Sequence, residues 1–100
     1  MIPKITQKAL TVMQLLKNNP GMYGLQIVDA SEGQVKKGTI YVVLSSLQDE
    51  GWITSNVEQN PKYSGMPRKL YSLTGEGARI LALKEQADAI WRGSTEHVFI

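Results

Sequence analysis

Apolar residues near the start of the chain recur with helical spacing. Ile5, Ala9, Val12, Met13 and Leu16 fall at i, i+4, i+7, i+8 and i+11, one face of a helix. Asn18-Asn19-Pro20-Gly21 stops it. A shorter helix follows from about Tyr23 to Ala30, with Leu25, Ile27 and Val28 as its apolar content, before Ser31-Glu32-Gly33-Gln34 turns the chain. A third helix begins at Lys36-Lys37. Ile40, Val43, Leu44 and Leu47 form its buried stripe, while Thr39, Val42 and Ser46 lie on other faces. Gly51 stands at the C′ position, where a left-handed residue closes a helix.

The period then changes from helical to alternating. Ile53, Ser55 and Val57 share one side of a strand, and Thr54, Asn56 and Glu58 the other. Turn-forming residues fill 59–67, and Arg68 to Leu73 reads as the returning strand of a hairpin with a long tip. Thr74 is positioned to cap a last helix, with Glu76 in its first turn, where a carboxylate is favourable. Ile80, Leu83, Ala87 and Ile90 are spaced like the a and d positions of a coiled coil.

Helix, helix-turn-helix, then hairpin is the element order of a winged helix-turn-helix. The expected fold is therefore mostly α with a β-hairpin wing, plus a C-terminal dimerisation helix. The boundaries are 1–75 for the DNA-binding unit, 76–93 for the dimerisation helix and 94–100 for a tail. The third helix would be the element that enters the major groove. Its beginning is unusual, because Lys36 and Lys37 oppose the helix macrodipole. Together with the helix end they form a good place for an anion such as a phosphate. Two solvated lysines that merely tolerate the dipole are the plainer reading. Gly38 and Thr39 are small enough to let the backbone approach a duplex closely.

Composition narrows the function further. The chain has 100 residues, 42% hydrophobic and 20% charged, with a net charge of +2. This describes one soluble globular domain, too small for a separate catalytic lobe. The charge permits a nucleic-acid partner without demanding one. No apolar run approaches the roughly 20 residues needed to span a bilayer, so no membrane partner is expected. The absence of cysteine fits a reducing compartment, and cytoplasmic localisation is expected. The single histidine, His97, sits in the tail, so neither a Ser-His-Asp arrangement nor a closed zinc site is implied. Asp49-Glu50, Glu76, Glu85 and Asp88 have helix-surface spacings rather than those of a paired acid and base. No glycine-rich phosphate loop occurs. The chain is expected to be neither an enzyme nor a carrier of a cofactor or metal.

Three ordered blocks within residues 23 to 77 and at their edges resemble the PadR-like transcriptional regulators. They are "MYGLQIV" with Tyr23-Gly24, "KKGTIYVVLSSLQDEGWI", and "GMPRKLYSLTGEG" with Arg68, Tyr71, Leu73, Thr74 and Gly77. The chain departs from the family pattern at Lys36, where a capping residue is usual, at Val42, often Pro, and at Leu70, often Tyr. The length and single terminal helix resemble the family's short branch. The resemblance implies a homodimeric regulator of double-stranded DNA, a repressor on a pseudo-palindromic operator. The family carries a Tyr near the DNA backbone at the place of Tyr41, which core packing would explain equally. In short relatives, aromatic residues of the last helix line a cavity for flat ligands. This makes Trp91 a candidate for a small apolar or aromatic effector, against plain interface packing.

The candidate DNA contacts are then Lys36, Lys37, Thr39, Tyr41, Ser45 and Ser46 on the third helix, with Lys62, Arg68 and Lys69 on the wing. Exposed helix serines are usually only solvated, and charge on a hairpin edge also guards against aggregation. Trp52 is expected in the core beneath the wing. Two other function classes remain open: a protein-interaction winged helix with weak DNA binding, and a ligand carrier using a dimer cavity alone. A steep salt dependence of DNA binding separates the first of these from a DNA-binding regulator.

Overall fold

A computed structural model describes residues 5–58 and 68–97, with the backbone alone for 90–97. The chain runs α1 (Gln7–Asn18), α2 (Gly24–Ala30), α3 (Lys37–Asp49), β1 (Ile53–Glu58), β2 (Arg68–Leu73) and α4 (Gly75–His97). This is the winged-helix order expected from the sequence.

Local chemistry sets most of the element ends. The Thr6 hydroxyl accepts a hydrogen bond from the Ala9 amide at 3.2 Å and opens α1. At the other end the Asn19 side-chain amide donates to the Leu15 carbonyl at 3.2 Å, and Gly21 takes a left-handed φ of 81°. Between α2 and α3, the Ser31 hydroxyl donates to the Val28 carbonyl and accepts from the Val35 amide. That polar knot holds the turn, and it draws Val35 into full burial. At the end of α3, Trp52 N–H donates to the Leu47 carbonyl and Gly51 N–H to Gln48. With Gly51 at φ 79° this is a Schellman closure, and it delivers the Trp52 side chain into the core.

The core gathers Val12, Met13 and Leu16 from α1, Ile27 from α2, Ile40, Leu44 and Leu47 from α3, and Tyr71 from β2. Leu10 and Thr11 are buried too, so α1 buries a wider face than its apolar spacing alone suggested. The width has a polar component: Thr11 donates to the Gln34 side chain at 2.8 Å, tying α1 to the turn before α3.

The wing is antiparallel, with Ile53 opposite Leu73, Ser55 opposite Tyr71, and Glu58 opposite Arg68. Only Ile53 of β1 is buried; Val57 is exposed because the hairpin leaves the body of the domain. The segment before α2 joins the sheet. Met22 and Tyr71 exchange backbone hydrogen bonds of 3.2 and 2.7 Å. Nothing in the alternation pattern announces that second pairing.

Thr74 caps α4 as expected, accepting from the Gly77 amide at 3.0 Å while donating to the Gly51 carbonyl at 2.7 Å. The first turn of α4 presses on the chain after α3. A methyl group at position 77 would lie 1.9 Å from the Trp52 carbonyl oxygen, so only glycine fits there.

Two features of α4 differ from the expectation. Its backbone remains helical past Gly93 to His97, so the last helix is longer than the expected 76–93 and takes in most of the expected tail. The a/d seam is also divided. Ile80 is buried in the core of its own chain, as is Leu81, while Leu83 and Ala87 are half-buried. Helix α1 covers part of that face, and Lys17 reaches Glu85 across it at 3.4 Å. The side chains of Ile90 and Trp91 lie outside the described residues.

Candidate nucleic-acid interface

Helix α3 begins with an open end. Lys36 is its N-cap residue in extended conformation, and its side chain makes no capping bond. Its carbonyl accepts from the amides of Thr39 and Ile40, both at 3.0 Å. No acidic residue occupies the first turn and no basic residue the last, where Asp49 and Glu50 stand instead. All four charges thus oppose the macrodipole, each costing about 0.3–1 kcal/mol when exposed. Lys36, Lys37 and Gly38 are all exposed, leaving the positive end of α3 accessible. Helix stability alone would not choose this arrangement. A polyanion meeting the N-terminal end would.

A second cluster forms where α2, α3 and the wing converge. Tyr23, Leu25, Tyr41, Arg68, Lys69 and Tyr71, with the Gly24 backbone, line an open cleft of about 770 Å³. Gly24 is needed for it, because a Cβ there would fall 2.9 Å from the Cε1 and hydroxyl oxygen of Tyr41. The Tyr41 ring can therefore lie against α2 while the residue as a whole stays 56% exposed. This combines the two readings that the sequence left open: Tyr41 packs and is still presented outward. Arg68 places its guanidinium 4.8 Å from the centre of the Tyr23 ring, a cation–π contact between the wing and the start of α2. Behind them, burial raises the Tyr71 phenol above its ordinary pKa, and the neighbouring Tyr41 adds to the effect. Tyr71 is held neutral as part of the floor.

The other candidates take different positions. Ser45 is exposed on the outward face of α3. Ser46 lies toward the start of α1, beside a hollow formed with Thr6, Ala9, Glu50 and Trp52. Thr39 is half-buried, and Lys62 lies outside the described residues. The structure thus brings Tyr41, Arg68 and Lys69 together, keeps Lys36 and Lys37 at the head of the same helix, and sets Ser46 on the opposite flank.

Three surface residues escaped the sequence reading. Val42 is 70% exposed at the middle of the outward face of α3, and Leu25 is also exposed. The one available signal for Val42 was its departure from the family pattern. Tyr23 supports Arg68, yet no spacing rule connects residues so distant in the chain. Among the described residues, no group of three His, Cys, Asp or Glu side chains could hold a metal ion. No helix among them is long and apolar enough to cross a membrane.

Comparison with known proteins agrees with this fold. The transcriptional regulator PadR-like family profile matches residues 12–83. Among solved structures, the chain is similar to a PadR-like transcription factor from Bacteroides fragilis, with 25% identity and a TM-score of 0.76 over 90% of this chain and 87% of that one. It is also similar to a PadR family regulator from Eggerthella lenta, with 26% identity and a TM-score of 0.64, covering 87% of this chain and 80% of that one. A PadR family regulator from Clostridium difficile shares the fold at 24% identity, with a TM-score of 0.77 over 95% of this chain and 100% of that one. No curated protein matches the chain.

Proposed function

Because the chain belongs to the PadR-like family of transcriptional regulators, we propose that it acts as a homodimeric repressor on a pseudo-palindromic DNA operator. The family is one of DNA-binding regulators, a class that is generally not enzymatic. In this reading α3 enters the major groove with its N-terminal end leading. Lys36 and Lys37 neutralise phosphates at the groove edge, and Tyr41 adds a hydroxyl donor to the backbone. Arg68 and Lys69 follow the adjacent phosphates from the base of the wing.

The observation that carries the reading is the uncapped, doubly lysine-flanked start of α3, on the helix that shares the Tyr41–Arg68–Lys69 cleft. Repression requires only that the bound dimer occupy the operator. Leu83 and Ala87 of α4, half-buried beyond the chain's own core, are the proposed contact between copies and would set the spacing of two recognition helices. The reading places the protein in the cytoplasm, with its DNA.

The test is duplex binding across a salt series. A bound helix pair with several phosphate contacts loses affinity steeply, by about 0.9 logarithmic units per phosphate for each tenfold rise in salt. A nearly flat dependence would refute DNA as the ligand and favour a protein partner on the same face.

A further inference from the structure

The outward face of α3 carries few of the side chains that usually read bases by paired hydrogen bonds. The exposed residues of α3 are Lys37, Gly38, Tyr41, Val42, Ser45, Asp49 and, on the flank toward α1, Ser46. Arginine and asparagine are absent from α3, and its one glutamine is engaged within the chain: Gln48 is half-buried and donates to the Ser55 hydroxyl on β1 at 3.0 Å. The lysines stand at the helix start, and Asp49 lies at the far end, about 10 Å along the axis from Val42 at 1.5 Å per residue. Between them the centre of the face is Gly38, Val42 and Ser45, at i, i+4 and i+7.

Two features of this centre have no explanation inside the chain. Val42 is 70% exposed, the most exposed of the large apolar side chains among the described residues. Gly38 has open space where a Cβ would stand and no left-handed φ, so nothing in the fold requires glycine. A glycine in a helix costs up to about 1 kcal/mol relative to alanine. A missing side chain and an exposed valine one turn later suit a surface that closes tightly on something apolar. In the major groove that something is the thymine C5 methyl, the one hydrocarbon group the four bases present there.

We propose that Val42 is a specificity-determining residue that reads a thymine methyl by apolar contact, with Gly38 allowing the close approach. The inference rests on the DNA-binding reading above and specifies what that binding selects. Each half-site contains a thymine that the protein recognises through its methyl group.

The experiment begins by selecting preferred duplexes from a random double-stranded DNA pool with the full-length protein. Each thymine of the selected site is then replaced in turn by deoxyuridine, which removes the methyl and preserves every base-pairing and groove hydrogen bond. Wild-type protein should lose about fourfold in affinity at one thymine per half-site, the worth of one buried methyl. Val42→Ala should bind the unmodified site more weakly and become indifferent to that same replacement. Its thermal melting temperature should not fall, because the side chain is exposed and alanine is the better helix former. Wild-type indifference to every deoxyuridine would overturn the proposal while leaving DNA binding intact. So would a Val42→Ala variant as sensitive as wild type, which would assign the methyl to another residue. Failure to enrich any sequence, with weak and salt-insensitive binding, would instead overturn the DNA-binding reading and this inference with it.

Discussion

Replacing both lysines at the head of α3 should move folding and binding in opposite directions. Lys36 and Lys37 sit at the N-cap and first helical positions, exposed and without a capping bond from Lys36. Each opposes the macrodipole by about 0.3–1 kcal/mol, so Lys36→Ala with Lys37→Ala should stabilise the fold by about 1 kcal/mol at low salt. For a domain of this size that corresponds to a rise of roughly 4–8 °C in melting temperature. The gain should shrink as salt is added, since the interacting groups lie at the surface. Duplex binding should weaken, and its salt slope should flatten by about one to two units as one or two phosphate contacts disappear. Calorimetry and fluorescence anisotropy on the same preparations measure both. A stabilised variant with an unchanged salt slope would show that the lysines are solvated surface and touch no phosphate. An unchanged melting temperature at low salt would refute the dipole argument itself.

Other parts of the structure yield separate expectations. Arg68→Ala should lower affinity for selected and unrelated duplexes by similar factors, with a salt slope reduced by about 0.9; loss of sequence preference with non-specific affinity retained would instead make Arg68 a groove reader. Leu83→Asp should place a charge in the proposed contact between copies, at a cost of several kcal/mol if it is buried and unpaired. Sedimentation should then report a monomer with collapsed operator affinity, and a wild-type monomer that binds DNA tightly would refute the dimer. Gly77→Ala forces a methyl against the Trp52 carbonyl, and denaturant titration should show a loss of about 3 kcal/mol or more. An unchanged midpoint would mean that α4 does not meet the turn after α3 as closely as the structure has it.

Most boundaries of the elements, the end of α4 excepted, were legible because the groups that decide them are close in sequence. Gly51 supplies a left-handed residue within one turn of the carbonyls it helps to satisfy, and Thr74 reaches an amide three residues ahead. The same holds for the buried stripe of α3, which a single helical period exposes to inspection. Hydrophobic spacing also suggested that α4 had an apolar face, but spacing could not say who covers it. Ile80 and Leu81 turned inward because α4 crosses the body of its own chain, whereas Leu83 and Ala87 lie further along and are only partly covered.

The candidate site was legible in part, for the same reason. Lys36 and Lys37 could be singled out from charge against a local dipole. The cleft could not, since Tyr23, Tyr41 and Arg68 come from separate parts of the chain that meet where Met22 pairs with Tyr71 and the wing lies beside α2. Gly24 and Gly77 look alike in the sequence, as glycines opening helices. Tertiary contact alone separates them, one yielding space to a tyrosine ring and the other to a backbone carbonyl. Sequence determined where each helix and strand begins, because capping and periodicity act over a few residues. Only the tertiary structure decided which side chains share a surface, because packing joins positions whose separation along the chain carries no signal.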